Sequence, residues 1–119
     1  MSIDNYKAVL PEDLNHYGYI FGGNLLKWTD EYSWIAATLE FPKSNLVTSG
    51  MDKIKFRKSV KQGSILRFHI ENMKQGSAYV KYQVDVFCKN ESSNEEEIVF
   101  NTIVTFINIG DDGTATPLQ

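Results

Sequence analysis

One helical pattern, followed by four extended ones, constrains this chain more than anything else in it. From Asn24 to Glu40, the residues Leu25, Trp28, Thr29, Tyr32, Ile35, Ala36 and Leu39 recur at helical spacing. Gly22 and Gly23 precede the run. Phe41-Pro42 ends it, because proline disfavours the helical conformation at the residue before it. The spacing predicts a helix of about four and a half turns. It is apolar around more than half its circumference, as expected of a helix largely enclosed by other elements.

The period then changes to two. Leu46 to Val60 reads as one long extended stretch. Ser64 to Met73 sets Leu66, Phe68 and Ile70 on one face and Arg67, His69 and Glu71 on the other. Ala78, Val80, Tyr82, Val84, Val86 and Cys88 alternate strictly with their neighbours, a half-buried strand. Ile98 to Ile109 is apolar on both faces, which predicts a central strand covered on both sides. A weaker strand, Tyr6 to Leu10, precedes the helix, and Asn90 to Glu97 reads as a polar, acidic hairpin loop. Short turns join the strands, so the order β-α-β-β-β-β predicts an α+β fold with an antiparallel sheet. Its long strands should curl around the one helix.

Composition narrows the function classes. The 119 residues, read as one domain over 1–119, are 42% hydrophobic and 23% charged, which fits a globular chain. A net charge of −3 weighs against nucleic acid as a partner. No apolar run approaches a membrane span, and the first residues lack a secretory h-region. Cys88 stands alone, so no internal disulfide can form, and a cytoplasmic location is expected. His16 and His69 share no ligand spacing with each other or with Cys88, so no metal site is expected.

Chemistry concentrates at the helix start. The first turn of a helix leaves backbone N–H groups without partners, and the macrodipole adds partial positive charge there. Glycine lets a ligand oxygen approach those donors closely. Gly22-Gly23 can therefore stabilise an oxyanion, although glycine pairs also serve simply as flexible turns. Asp30 lies two turns beyond Gly23 on nearly the same side, with Lys27 and Trp34. It reads either as a catalytic carboxylate or as a surface group paired with Lys27 or Lys53. Seven residues of helix rise about 10 Å, so one reacting carbonyl cannot touch both Gly23 N–H and Asp30 of the same helix. If both act on one carbonyl, the second must come from another subunit, and a two-fold dimer with antiparallel helices does this twice.

A basic cluster adds to this. Lys53, Lys55, Arg57, Lys58 and Lys61 place five of the 12 basic residues within nine positions. On a strand, Lys53, Lys55 and Arg57 face one way and Lys58 the other. That suits a phosphate-bearing substrate, or alternatively a charged strand edge that resists aggregation.

The stretch Asn15-His16-Tyr17-Gly18-Tyr19-Ile20-Phe21-Gly22-Gly23-Asn24-Leu25-Leu26-Lys27-Trp28-Thr29-Asp30-Glu31 resembles the acyl-CoA hydrolase branch of the hotdog-fold thioesterases. The resemblance continues through Val47-Thr48, Phe56 to Val60, Gly63, Gly76-Ser77 and Phe106 to Ile109, nearly the whole chain. It implies the hotdog fold, a long central helix wrapped by a curled antiparallel sheet, and hydrolysis of acyl-CoA without a cofactor, CoA being part of the substrate. It also implies a homodimer, which in the family often assembles into a trimer of dimers.

Residue by residue, the resemblance makes Asp30 the general base or nucleophile. It makes Asn15 the group that positions water or thioester from the neighbouring subunit, and Gly22 and Gly23 the carbonyl-polarising donors. Arg57 and Lys58 fall near the family's phosphate contacts, Gly76-Ser77 near its nucleotide loop, and Thr48 within the matched segment as a substrate-binding candidate. Phe21 departs from the histidine many members carry, which removes any histidine role but leaves backbone donors intact. Two other readings share this fold: a hydroxyacyl-thioester dehydratase, which would want a histidine where Phe21 stands, and a non-catalytic acyl-CoA-binding module.

Overall fold

The computed structural model describes residues 1–119. Its elements are β1 (Ser2–Ala8), a 3-10 turn (Pro11–Asp13), α1 (Gly22–Glu40), β2 (Leu46–Phe56), β3 (Ile65–Gln75), β4 (Tyr79–Lys89) and β5 (Glu96–Asn108). The five strands form one sheet in the order β1-β3-β4-β5-β2, and every neighbouring pair is antiparallel. This is the architecture that the pattern and the resemblance predict. No helix is long and apolar enough to cross a membrane.

The core follows the period-two pattern closely. Leu66, Phe68 and Ile70 of β3 and Val80, Tyr82, Val84 and Val86 of β4 are at most 1% exposed. They line the face of the sheet that holds α1, where burial of apolar surface is the main stabilising term. β5 does lie inside the sheet, between β4 and β2. Its inner residues Thr102, Val104 and Phe106 are buried, whereas Ile103 and Ile107 on the outer face are only partly covered by this chain.

Several boundaries differ from expectation, mostly by a residue or two, and three differences matter most. β1 begins at Ser2 instead of Tyr6, because its alternation carries polar side chains and leaves no hydrophobic signature. The helix begins at Gly22, so the glycine pair forms its first turn instead of preceding it. β2 stops at Phe56, so Arg57 and Lys58 lie beyond it. Register shifts occur in β2 between Thr48 and Gly50 and between Asp52 and Lys55. Lys53 adopts φ 52, a left-handed conformation at the second irregularity, so regular alternation of Lys53, Lys55 and Arg57 does not hold. Thr102 pins this bulge by donating its hydroxyl to the Asp52 carbonyl at 2.7 Å.

The helix buries most of its apolar stripe. Leu25, Trp28, Thr29 and Ala36 are buried together with Ser33 and Ala37, and Tyr32 and Ile35 are half-buried. Leu39, at the end of the stripe, is 60% exposed, and Trp34, on the side of Asp30, 45%.

Candidate active site

At the helix start, backbone pairing leaves two donors over. Phe21 N–H donates to the Asp13 carbonyl at 3.2 Å, and the amides of Asn24 and Leu25 donate to the Phe21 carbonyl at 3.0 and 3.4 Å. The amides of Gly22 and Gly23 donate to nothing in the chain. They open the first turn of a 19-residue helix that carries no acidic residue there, so the macrodipole field is uncompensated.

The two glycines differ. A Cβ on Gly22 would stand 3.0 Å from the Phe56 ring, whereas one on Gly23 would meet nothing within 4 Å. Packing inside the chain accounts for the first glycine. At the second, the space a side chain would take is open.

The loop before the helix fixes Asn15. Its side-chain oxygen accepts the amides of Tyr17 and Tyr19 at 2.9 and 3.2 Å, a local turn of the kind asparagine favours. That leaves the Asn15 Nδ2 group as its outward-facing polar function, and Nδ2 only donates. Asn24 ties this loop to the helix by donating Nδ2 to the Asp13 carbonyl at 3.0 Å. Asn15 and Gly22 line one open cleft of about 340 Å³ together with Tyr19, Phe56, Arg57 and Lys58. Arg57 Nε donates to Asn101 Oδ1 at 2.6 Å, and Lys58 pairs with Glu97 at 3.1 Å, an exposed ion pair that is weak enough to exchange.

Asp30 lies elsewhere, outside that cleft. Its Oδ1 accepts the Thr48 hydroxyl at 2.6 Å, and Trp34, one turn on, donates its indole N–H to the Leu46 carbonyl at 3.2 Å. Asp30 forms no ion pair with Lys27 or Lys53. A short charge-assisted bond orients the carboxylate, and the other oxygen is left without a partner.

Cross-strand register separates the two groups further. Thr48, Phe106, Val80 and Gln75 form one row across the sheet, and Phe56, Phe100, Val86 and Phe68 form another. The Gly76-Ser77 turn therefore shares a sheet end with Asp30 and Thr48, away from Gly22. Gly76 is needed there because the Tyr79 ring fills the space a side chain would take, and the Ser77 carbonyl accepts Leu118 N–H at 2.8 Å. No three His, Cys, Asp or Glu side chains converge as a metal site would require.

The model of the thioesterase superfamily matches residues 17–94, about two thirds of the chain. The chain belongs to this family. An uncharacterized acyl-CoA thioester hydrolase of Bacillus subtilis is 24% identical over 110 residues, covering 92% of this chain but 63% of the relative. Another, from Haemophilus influenzae, is 27% identical over 107 residues, covering 87% of this chain and 69% of its own. Among solved structures, an acyl-CoA hydrolase from Staphylococcus aureus, in complex with butyryl-CoA and CoA, superposes with a TM-score of 0.88 at 25% identity. That match covers 98% of this chain and 71% of the other. A hexameric thioesterase from Yersinia pestis gives 0.86 at 25% identity, covering 97% and 93%.

Sequence reasoning brought Asn15, Gly22, Arg57 and Lys58 to attention, and they do share a cleft. It passed over Phe56 and Tyr19 as lining residues. Their large exposed rings depend on how β2 ends against the helix, which no periodicity reports.

Proposed function

We propose that this chain hydrolyses acyl-CoA thioesters in sites built from two copies of itself. The observation that carries the reading is the pair of unpartnered amides at Gly22 and Gly23, the first of them lining one cleft with Asn15, a cleft with no carboxylate among its lining residues. The base, Asp30, has its own orienting hydroxyl at Thr48 and lies too far along the helix to serve that cleft.

Strand β2 offers the means of joining them. It is an edge strand, exposed on both faces over most of its length, and it runs beside the helix from Asp30 at Thr48 to Gly22 at Phe56. Antiparallel pairing of β2 with its copy about a two-fold axis near Asp52 would set Thr48 opposite Phe56. Asp30 of one copy would then face the Gly22-Gly23 amides of the other, twice per dimer. Three such dimers would make the trimer of dimers.

In this site the carbonyl oxygen accepts from Gly22 and Gly23, with Asn15 Nδ2 as a further donor. Asp30 takes a proton from water as it attacks the carbonyl carbon, and the charge developing on oxygen is held by those donors. Collapse of the intermediate breaks the carbon–sulfur bond and releases CoA thiolate, which takes up a proton, and the free acid. Alternatively Asp30 attacks the carbonyl itself, and water then cleaves the resulting anhydride. Single turnover in heavy-oxygen water identifies direct attack when label enters Asp30, as it does where water opens the anhydride at the Asp30 carbonyl. Arg57 and Lys58 of one copy, with the Gly76-Ser77 turn of the other, bind the nucleotide end.

Mixing two inactive variants tests the composite site. Asp30→Ala and Asn15→Ala proteins, unfolded together and refolded, should regain about a quarter of wild-type thiol release, because each mixed dimer carries one intact site. No recovery, with dimers formed, would sink the shared site. Tight acyl-CoA binding without thiol release from wild type would instead favour a binding module.

A further inference from the structure

Phe21 and Phe56 stand 54% and 55% exposed, one preceding Gly22 in the chain and the other packed against it. Pairing of β2 with a second copy would use the backbone edge at Phe56, whereas its ring stands against Gly22 and Phe100, and a large apolar ring beside polar donors points to an apolar occupant. The Phe56 ring edge lies 3.0–3.1 Å from where a Cβ on Gly22 would stand, so it borders the donor amide directly. Behind it Phe100, fully buried, sits at 5.0 Å between ring centroids. Leu25 and Ile20, at 2% and 9% exposure, close the rest of the floor. The ring therefore cannot retreat inward without displacing close-packed side chains.

The other lining residues, Asn15, Arg57, Lys58 and Ser59 among them, are polar. A thioester carbon held at the Gly22 and Gly23 amides bears two substituents. The one rich in amides and phosphates matches the polar lining, and the hydrocarbon one matches the Phe56 ring. A cleft of about 340 Å³ with a closed aromatic floor gives a hydrocarbon chain contact over only its first few carbons. We infer that Phe56 sets the acyl-chain length, and that the substrates are short-chain acyl-CoA thioesters. This rests on the thioesterase reading above and adds the substrate class to it.

The test is a kcat/KM series over straight-chain acyl-CoA substrates from acetyl to dodecanoyl, for wild type, Phe56→Ala and Phe56→Trp. Phe56→Leu replaces Phe56→Ala if thermal melting shows the alanine variant unfolded. In wild type, kcat/KM should rise by up to about fourfold per methylene through the shortest members and then level or fall. Phe56→Ala should carry the rise further along the series, and Phe56→Trp should cut it short. A uniform change at every chain length, leaving the profile's shape intact, would overturn the assignment and mean that Phe56 meets the CoA side instead. If wild type hydrolyses none of the series, the hydrolytic reading fails by itself. Binding of thioether analogues of the same chain lengths then decides: a length profile of Kd that moves with Phe56 supports the inference, and an unmoved one overturns it.

Discussion

The sheet has two edges, and they are finished differently. β1, at one edge, keeps a strict alternation of partly covered and exposed residues along its length, so one of its faces is used by the chain itself. Asp4 fastens it to β3, meeting Arg67 at 3.0 Å and His69 at 2.8 Å. β2, at the other edge, loses alternation after Leu46 and stays exposed on both faces, with two register shifts. Such an edge is normally a liability for uncontrolled pairing. β1 is closed by charge, whereas β2 is left open alongside Asp30 at Thr48 and Gly22 at Phe56. That open strand is the one proposed above to pair with a second copy.

The sharpest way to break that contrast is at Asp30, beside the open edge. Asp30→Ala should lower kcat by two orders of magnitude or more, the scale of a lost general base, with the melting temperature held. A comparable loss in any β1 residue would erase the distinction between the edges. Gly23→Val comes next. The chain has room for the side chain, so the fold should tolerate it, while the ligand's approach to the amides is obstructed. A fall in kcat/KM of roughly tenfold to a hundredfold is expected. Thr48→Val removes the hydroxyl that aims Asp30 and should cost about tenfold in kcat with KM little changed, on the scale of one hydrogen bond to a charged group.

The smallest effect belongs to β1. His69, and then Arg67, hold the Asp4 carboxyl below the usual range, and Arg67 does the same for Glu96. Carboxylates depressed in the folded state add stability above their unfolded pKa, and that stability is lost as pH falls through the folded value. Arg67→Met should therefore be less stable than wild type near neutrality, by no more than about 1 kcal/mol for such exposed pairs. The difference should vanish in acid, and activity should be untouched. Denaturant melts from neutral pH down to pH values below the carboxylate range check this.

How much of this the sequence disclosed depends on the kind of signal. Alternation in β3 and β4 is read directly, because a half-buried strand has only two faces and Phe68 or Val84 must choose one. The helix was harder. Leu25, Trp28 and Ala36 of the apolar stripe are buried as read, yet Leu39 faces outward, and Ser33 and Ala37, which lie between stripe positions, are inside. The separation of Asp30 from Gly23 followed from helix rise alone. The orientation of Asn15 did not, since it depends on the Tyr17 and Tyr19 amides folding back onto its oxygen. Nor did Phe56, whose place against Gly22 is set where an irregular strand ends.

The division of donors and carboxylate between subunits bears on how turnover ends. Amides aimed at an oxyanion hold a product carboxylate almost as well, so such a pocket risks being choked by its own acid. In the proposed dimer Asp30 faces those amides across the interface, and once the acid has ionised, two negative charges share one small space. In that proposal their mutual repulsion would expel the product, so the residue proposed to start the reaction would also clear the site for the next substrate.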